Sequence, residues 1–168
     1  LEQIRRETAA LAIVFAKQAE TTFRDVDHTL LVLRDAWLRS PATFAEEIAH
    51  HQDLLDGTAL QIAIMDAKGL LVFSNLGLPE QPLSLADREH FKVHRDRPDD
   101  KQFISRPVQG RISGKWSIQL TRPIFDQGRF AGVIAISVDP EYFVRFYQEV
   151  GLGKNGAARM IRDTGEVM

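Results

Sequence analysis

The stretch FISRPVQGRISGKWSIQLTRPIFDQGRFAGVIAISVD, residues Phe103–Asp139, decides the fold. Three apolar runs rich in β-branched and aromatic residues are separated by glycine-bearing turns at Gln109–Lys115 and Asp126–Arg129, the pattern of an antiparallel meander. In the middle run Trp116, Ile118, Leu120, Arg122 and Ile124 share one parity, and Lys115, Ser117, Gln119 and Thr121 the other. One face is therefore apolar except for a single arginine. The third run, Phe130–Val138, is apolar on both parities, as in a strand covered on both faces, and Asp139-Pro140 closes it.

Upstream, Ile4, Thr8, Leu11, Phe15, Ala19, Phe23, Val26, Leu30, Leu33 and Trp37 step by three or four, a helical stripe across residues 1–39. Such a helix is about 55 Å long at 1.5 Å per residue. Its first half is expected to project beyond the domain body and to offer a dimer seam, since its polar face mixes both signs of charge. Ser40-Pro41 ends it and starts a second helix, with Ser40 or Thr43 as the cap and Phe44, Ile48, Leu54 and Leu55 buried. Then LQIAIMD, a turn at Asp66–Gly69 and LLVFSN read as a strand pair. A loop with Pro79 and Pro82 leads to a short helix at Arg88–His94, and a charged connector over residues 95–102 enters the meander. After Pro140 an amphipathic helix carries Phe143, Phe146, Tyr147 and Val150 on one side. The closing ARMIRDTGEVM repeats in outline the earlier IAIMDAKGLLV, which suggests a second copy of the module's opening. The chain divides into a helix (1–39), a domain-sized module (40–150) and a linker with the start of a second module (151–168). It starts without methionine inside a helical pattern and stops in mid-strand, as expected of a piece of a larger protein.

Composition narrows the functions. With 168 residues, net charge −2 and scattered lysines and arginines, the chain lacks the basic stripe of a nucleic-acid binder. No cysteine is present, which excludes disulfides, thiol catalysis and zinc–thiolate sites. No apolar run reaches the roughly 18–20 residues that span a bilayer.

Motifs for catalysis are weak. GLGKNG at 151–156 follows a helix and precedes a strand, the reverse of the dinucleotide-binding order, and GRISGK at 110–115 has one residue too few between its glycines for a phosphate loop. Nothing assigns a nucleophile and a base, and no cofactor is called for. Asp87, His90 and His94 have i, i+3 and i+4 spacings that offer a metal-site alternative. A ligand pocket is the leading expectation. Arg122, with Trp116 beside it, would grip a carboxylate and Asp139 an ammonium, while Arg88, His94 and Ser105 would reach the same volume. The competing reading has Arg122 paired with Asp139 or with the helical cover, closing a polar hole in the core.

The segments D-R-E-H-F, I-S-R-P-V-Q-G-R-I-S-G-K-W-S-I-Q-L-T-R-P-I, G-R-F-A-G-V-I-A-I-S-V-D and Y-F, in this order after a long helix, resemble the extracytoplasmic double Cache (PAS-like, PDC) sensor domains of bacterial transmembrane receptors. The resemblance covers residues 1–150 and is greatest to receptors with diguanylate cyclase (GGDEF) or histidine kinase outputs. It implies an α+β fold, in which the long helix packs on a five-stranded antiparallel sheet with helical cover. It further implies a non-enzymatic, periplasm-facing module, anchored in the inner membrane by the rest of its protein and dimeric through the helix. The implied pocket residues are Arg88, Phe91, His94, Ser105, Trp116, Arg122 and Asp139, around an organic acid or amino-acid-like metabolite. The tyrosine pattern of amino-acid binders is missing, since Tyr142 and Tyr147 both follow the sheet.

Overall fold

The computed structural model describes residues 2–51, 57–97, 99–150 and 157–168. Helix α1 spans Glu2–Arg39, and its buried side chains (Phe15, Ala19, Thr22, Val26, Leu30, Leu33 and Ala36) follow the expected stripe. Residues 2–14 are exposed apart from the half-buried Leu11, so the first third of α1 stands clear of the sheet. A 3-10 turn, Pro41–Thr43, leads to α2, Phe44–Ala49, which buries Phe44 and Ile48. Neither Ser40 nor Thr43 caps with its side chain, a correction to the sequence reading. Leu54, Leu55 and the 151–156 glycine motif lie outside the described residues.

Five antiparallel strands follow: β1 Ala59–Asp66, β2 Leu71–Ser74, β3 Phe103–Gln109, β4 Trp116–Asp126 and β5 Arg129–Val138, in the spatial order β2-β1-β5-β4-β3. The short α3, Glu89–Asp96, lies between β2 and β3, and α4, Pro140–Val150, follows β5. The doubly apolar β5 is the central strand, flanked by β1 and β4. Its Gly132 pairs with Asp66, and an added Cβ there would sit 2.0 Å from the Met65 carbonyl oxygen, so no side chain fits.

One sheet face carries α1. Val26, Leu30 and Leu33 pack with Ile62, Ile64, Ile118, Leu120, Ile124, Ile134 and Ile136 into the main core. On the other face α3 lies over a smaller cluster of Met65, Phe91, Val133 and Ala135. Each buried aliphatic side chain contributes about 1.5–3 kcal/mol, so the α1 face supplies most of the hydrophobic stabilisation.

The tail reproduces the β1–β2 turn. Asp66 N–H donates to Leu70 O and Gly69 N–H to Asp66 O; likewise Arg162 N–H donates to Glu166 O and Gly165 N–H to Arg162 O. Both glycines take positive φ, 81° and 88°, which L side chains resist. Ile161 and Val167 bridge across this second turn.

Candidate functional site

The α3 face of the sheet holds a cavity of about 40 Å³, and strand register explains it. Gln61, Ser137 and Gln119 stand side by side across β1, β5 and β4, and the next row along is Ala63, Ala135 and Thr121. A row of polar side chains beside two alanines leaves a floor that is polar and partly empty. Gln119 Nε2 donates to Ser117 Oγ and to Ser137 Oγ, both at 2.8 Å, and Ser137 Oγ donates to Gln119 Oε1. Gln61 Nε2 donates to Ser74 Oγ at 2.8 Å. These bonds let buried polar groups persist. Met65, Leu71, Leu83 and Leu85 form apolar walls.

Arg88, the residue before α3, and Arg111, in the β3–β4 turn, complete the lining. Arg111 is committed: both its terminal nitrogens donate to the Asp87 carboxylate, at 2.8 and 2.6 Å, which holds that carboxyl down at about 2. Arg88 donates only to the Gln109 carbonyl at 3.1 Å and, among the described residues, forms no ion pair. Burial, and then the neighbouring Arg111 charge, lower its pKa. A half-buried guanidinium in this state attracts an anion. His90 also lines the cavity; its Nδ1 is buried and has no hydrogen-bond partner among the described residues, and burial lowers its pKa to about 4.

The structure divides the seven expected ligand residues. Arg88 lines the cavity. Phe91 packs under α3 with its ring 6.0 Å from that of Phe130. His94 Nε2 is hydrogen-bonded to Thr121 Oγ1 at 2.8 Å, beyond the cavity wall. Ser105 sits at the register break between Ile104 and Pro107, where its hydroxyl accepts from Gln119 N–H and donates to the Arg106 carbonyl. Trp116 is 61% exposed. Asp139 accepts the Glu141 N–H at the start of α4, a local cap.

Arg122 lies on the α1 face. Its Nε and one terminal nitrogen donate to Asp27 of α1 at 2.7 and 2.8 Å, and the other reaches Asp100, which Arg34 of α1 also binds. The arginine thus closes a polar hole in the core, as the competing reading had it, but with Asp27 and Asp100 and not with Asp139. The metal alternative also separates: Asp87 precedes the helix and is held by Arg111, while His94 is bonded to Thr121. Among the described residues no three such side chains come together.

The sequence reading missed Gln61, Gln119, Ser137 and Arg111 as lining residues. Two signals were available. Beside a strand apolar on both parities, the polar parity of β4 has to be covered too, and buried glutamine and serine require partners.

No family model and no curated protein matches the chain. Solved structures do. The extracellular domain of a protein described as a histidine kinase, rpHK1S-Z16, superimposes with TM-score 0.85 and 28% identity, over 99% of this chain and 70% of that one. The ligand-binding domain of the Campylobacter jejuni chemoreceptor Tlp3, in complex with 4-methylisoleucine, gives TM-score 0.66 and 12% identity over 99% and 69%. A domain of a sensory box/GGDEF family protein from Vibrio parahaemolyticus gives 0.66 and 15% over 87% and 64%. No helix among the described residues is long and apolar enough to cross a membrane.

Proposed function

We propose that this chain, which has the fold of the Cache/PDC-like extracellular sensor domains of histidine kinases, chemoreceptors and GGDEF proteins, is the small-molecule-sensing part of such a receptor. The ligand is a small carboxylate or related metabolite seated between α3 and the sheet. The observation that carries this reading is Arg88: a half-buried cation on a cavity wall with no ion-pair partner among the described residues. The rest of the protein anchors the domain in the inner membrane, facing the periplasm, and carries a histidine kinase or diguanylate cyclase output.

Ligand closure biases one of two arrangements of α1, whose exposed first third forms the seam of a homodimer. α3 is joined to α1 through the connector that follows it, because Asp100 is bound by Arg34 and Gln102 Nε2 donates to the Phe23 carbonyl. A thermal-shift screen against carboxylates, amino acids, amines and nucleobases tests the reading. Ligand at a hundred times its Kd stabilises the fold by about 2.7 kcal/mol. A carboxylate hit that disappears in Arg88→Gln supports the proposal. A flat screen removes it, and a concentration-dependent dimer without any ligand then leaves a dimerisation module.

A further inference from the structure

We infer that the ligand is a short carboxylate carrying a hydroxyl and no ammonium group, its carboxylate on Arg88 and its hydroxyl between His90 and the neutral row Gln61, Ser137 and Gln119. This rests on the sensing reading above and deepens it.

The charge inventory of the cavity is one-sided. Among the described residues two guanidinium groups line it, and no aspartate or glutamate does. The acids that could supply a counter-charge are spent elsewhere: Asp87 binds Arg111 in bidentate fashion, and Asp139 caps α4. A ligand ammonium would exchange water for a site whose uncommitted charge is the Arg88 cation and whose nearby Asp87 is already paired, a loss that neutral glutamine and serine oxygens do not offset. A hydroxyl faces no such penalty and both donates and accepts.

His90 gives the second, independent observation. The residue is 6% exposed, it lines the cavity, and among the described residues its Nδ1 has no hydrogen-bond partner. Orphaned buried nitrogens are costly. Burial keeps the ring neutral in the physiological range, so it offers hydrogen bonding without adding charge.

Size sets the third limit. A water needs roughly 10–15 Å³, so the cavity's volume of about 40 Å³ holds about three, comparable to the smallest organic acids. The small Ala63 and Ala135, with Met65 and Leu85, make the apolar part of the lining, on which a ligand's methyl or methylene group would rest. Longer acids require Arg88 or Arg111 to swing outward at the mouth.

The test is calorimetric titration of the chain with three matched pairs that differ in hydrogen or hydroxyl against ammonium: acetate and glycine, L-lactate and L-alanine, L-malate and L-aspartate. L-Lactate or L-malate is expected to bind at least tenfold tighter than its ammonium partner, and propionate, titrated beside them, more weakly than L-lactate; propionate binding as tightly as L-lactate overturns the part given to the hydroxyl. An amino acid binding as tightly as its partner overturns this inference and leaves the sensor reading intact. So does binding of only an amine or nucleobase from the wider screen. Failure of every compound removes both. Ser137→Asp, checked for an unchanged melting profile, places a carboxylate in the floor and is expected to bring L-alanine level with L-lactate. A folded variant whose preference is unchanged overturns the role given to the floor.

Discussion

On the α1 side of β4, Ile118, Leu120 and Ile124 are buried; on the alternate parity, the α3 side, Ser117, Gln119 and Thr121 are buried as well. The two faces share a strand and a depth but not a chemistry. Against α1 burial is favourable in itself, because apolar area leaves water. Under α3 burial has to be compensated hydrogen bond by hydrogen bond, through Gln119 to Ser117 and Ser137 and through Thr121 to His94. The first face is suited to holding the domain together. The second is suited to exchange, since a polar ligand can take up hydrogen bonds that the floor's side chains now make among themselves. The arginines divide the same way: Arg122 is neutralised by its own chain, and Arg88 is not.

Breaking the apolar face gives the largest effect. Leu30 is fully buried between α1 and the sheet, and Leu30→Ala is expected to cost about 3 kcal/mol, within the usual range of 2–5 for such truncations. Urea denaturation measures it. A loss below about 1 kcal/mol would mean that α1 is not part of the core.

The ion network comes next. Arg122 and Asp27 side chains are only 15% and 20% exposed, so Asp27→Ala leaves a poorly hydrated guanidinium with Asp100 alone. Discounted for that exposure and the remaining partner, the loss is about 2 kcal/mol. The double variant Asp27→Ala, Arg122→Met is expected to be more stable than Asp27→Ala, because the unpaired charge is gone. Carboxylate affinity should stay within about twofold in both. A tenfold loss of affinity would return Arg122 to the binding site.

The sheet and its helices could be read from periodicity, since the quoted meander and the α1 stripe are repeated apolar signals with one structural solution. The site was legible only in part. Arg122 stood out because it interrupts an apolar parity, yet a cation in such a position is as well served by Asp27, 95 residues away in sequence, as by a ligand. Spacing carries no information about a partner on another element. Gln119 was silent for the opposite reason, since a polar residue on a polar parity looks solvated until the fold covers it, and Ser137 was silent because one small serine does not stand out in a run apolar on both parities. Arg88 could be named but not ranked, because its significance lies in an absent ion-pair partner, which needs coordinates to see.

Acid should weaken the α3 face selectively. Burial brings His90 and His94 down to about 4, against roughly 6.5 for an unfolded histidine. With folded pKa values below unfolded ones, their contribution is fully present above about pH 6.5 and is lost as pH falls toward 4. Against burial, the hydrogen bond with Thr121 and then the charges of Asp99 and Asp100 raise the His94 pKa, while Arg122 lowers it further. The lowered carboxyls of Asp87 and Asp100 weaken the fold only below about pH 4, so the window above that belongs to the histidines. Urea midpoints at several pH values between 7 and 4.5 should decline, and His94→Gln should flatten the decline. An unchanged slope in that variant would assign the sensitivity to His90.

The smallest effect on stability sharpens the contrast most. Arg88 spends one hydrogen bond on Gln109 and is repelled by Arg111, so Arg88→Gln relieves a like-charge contact while losing little packing. The change in unfolding free energy should lie within about 0.5 kcal/mol, as for surface substitutions. Binding of the carboxylate should nevertheless fall by more than tenfold, since the one uncompensated cation of the cavity is gone. Arg122→Gln is expected to give the reverse, a clear loss of stability with affinity retained. If Arg88→Gln unfolds the domain as readily as Arg122→Gln, Arg88 is a structural arginine too, and the division between a holding face and an exchanging face fails at the residue that defines it.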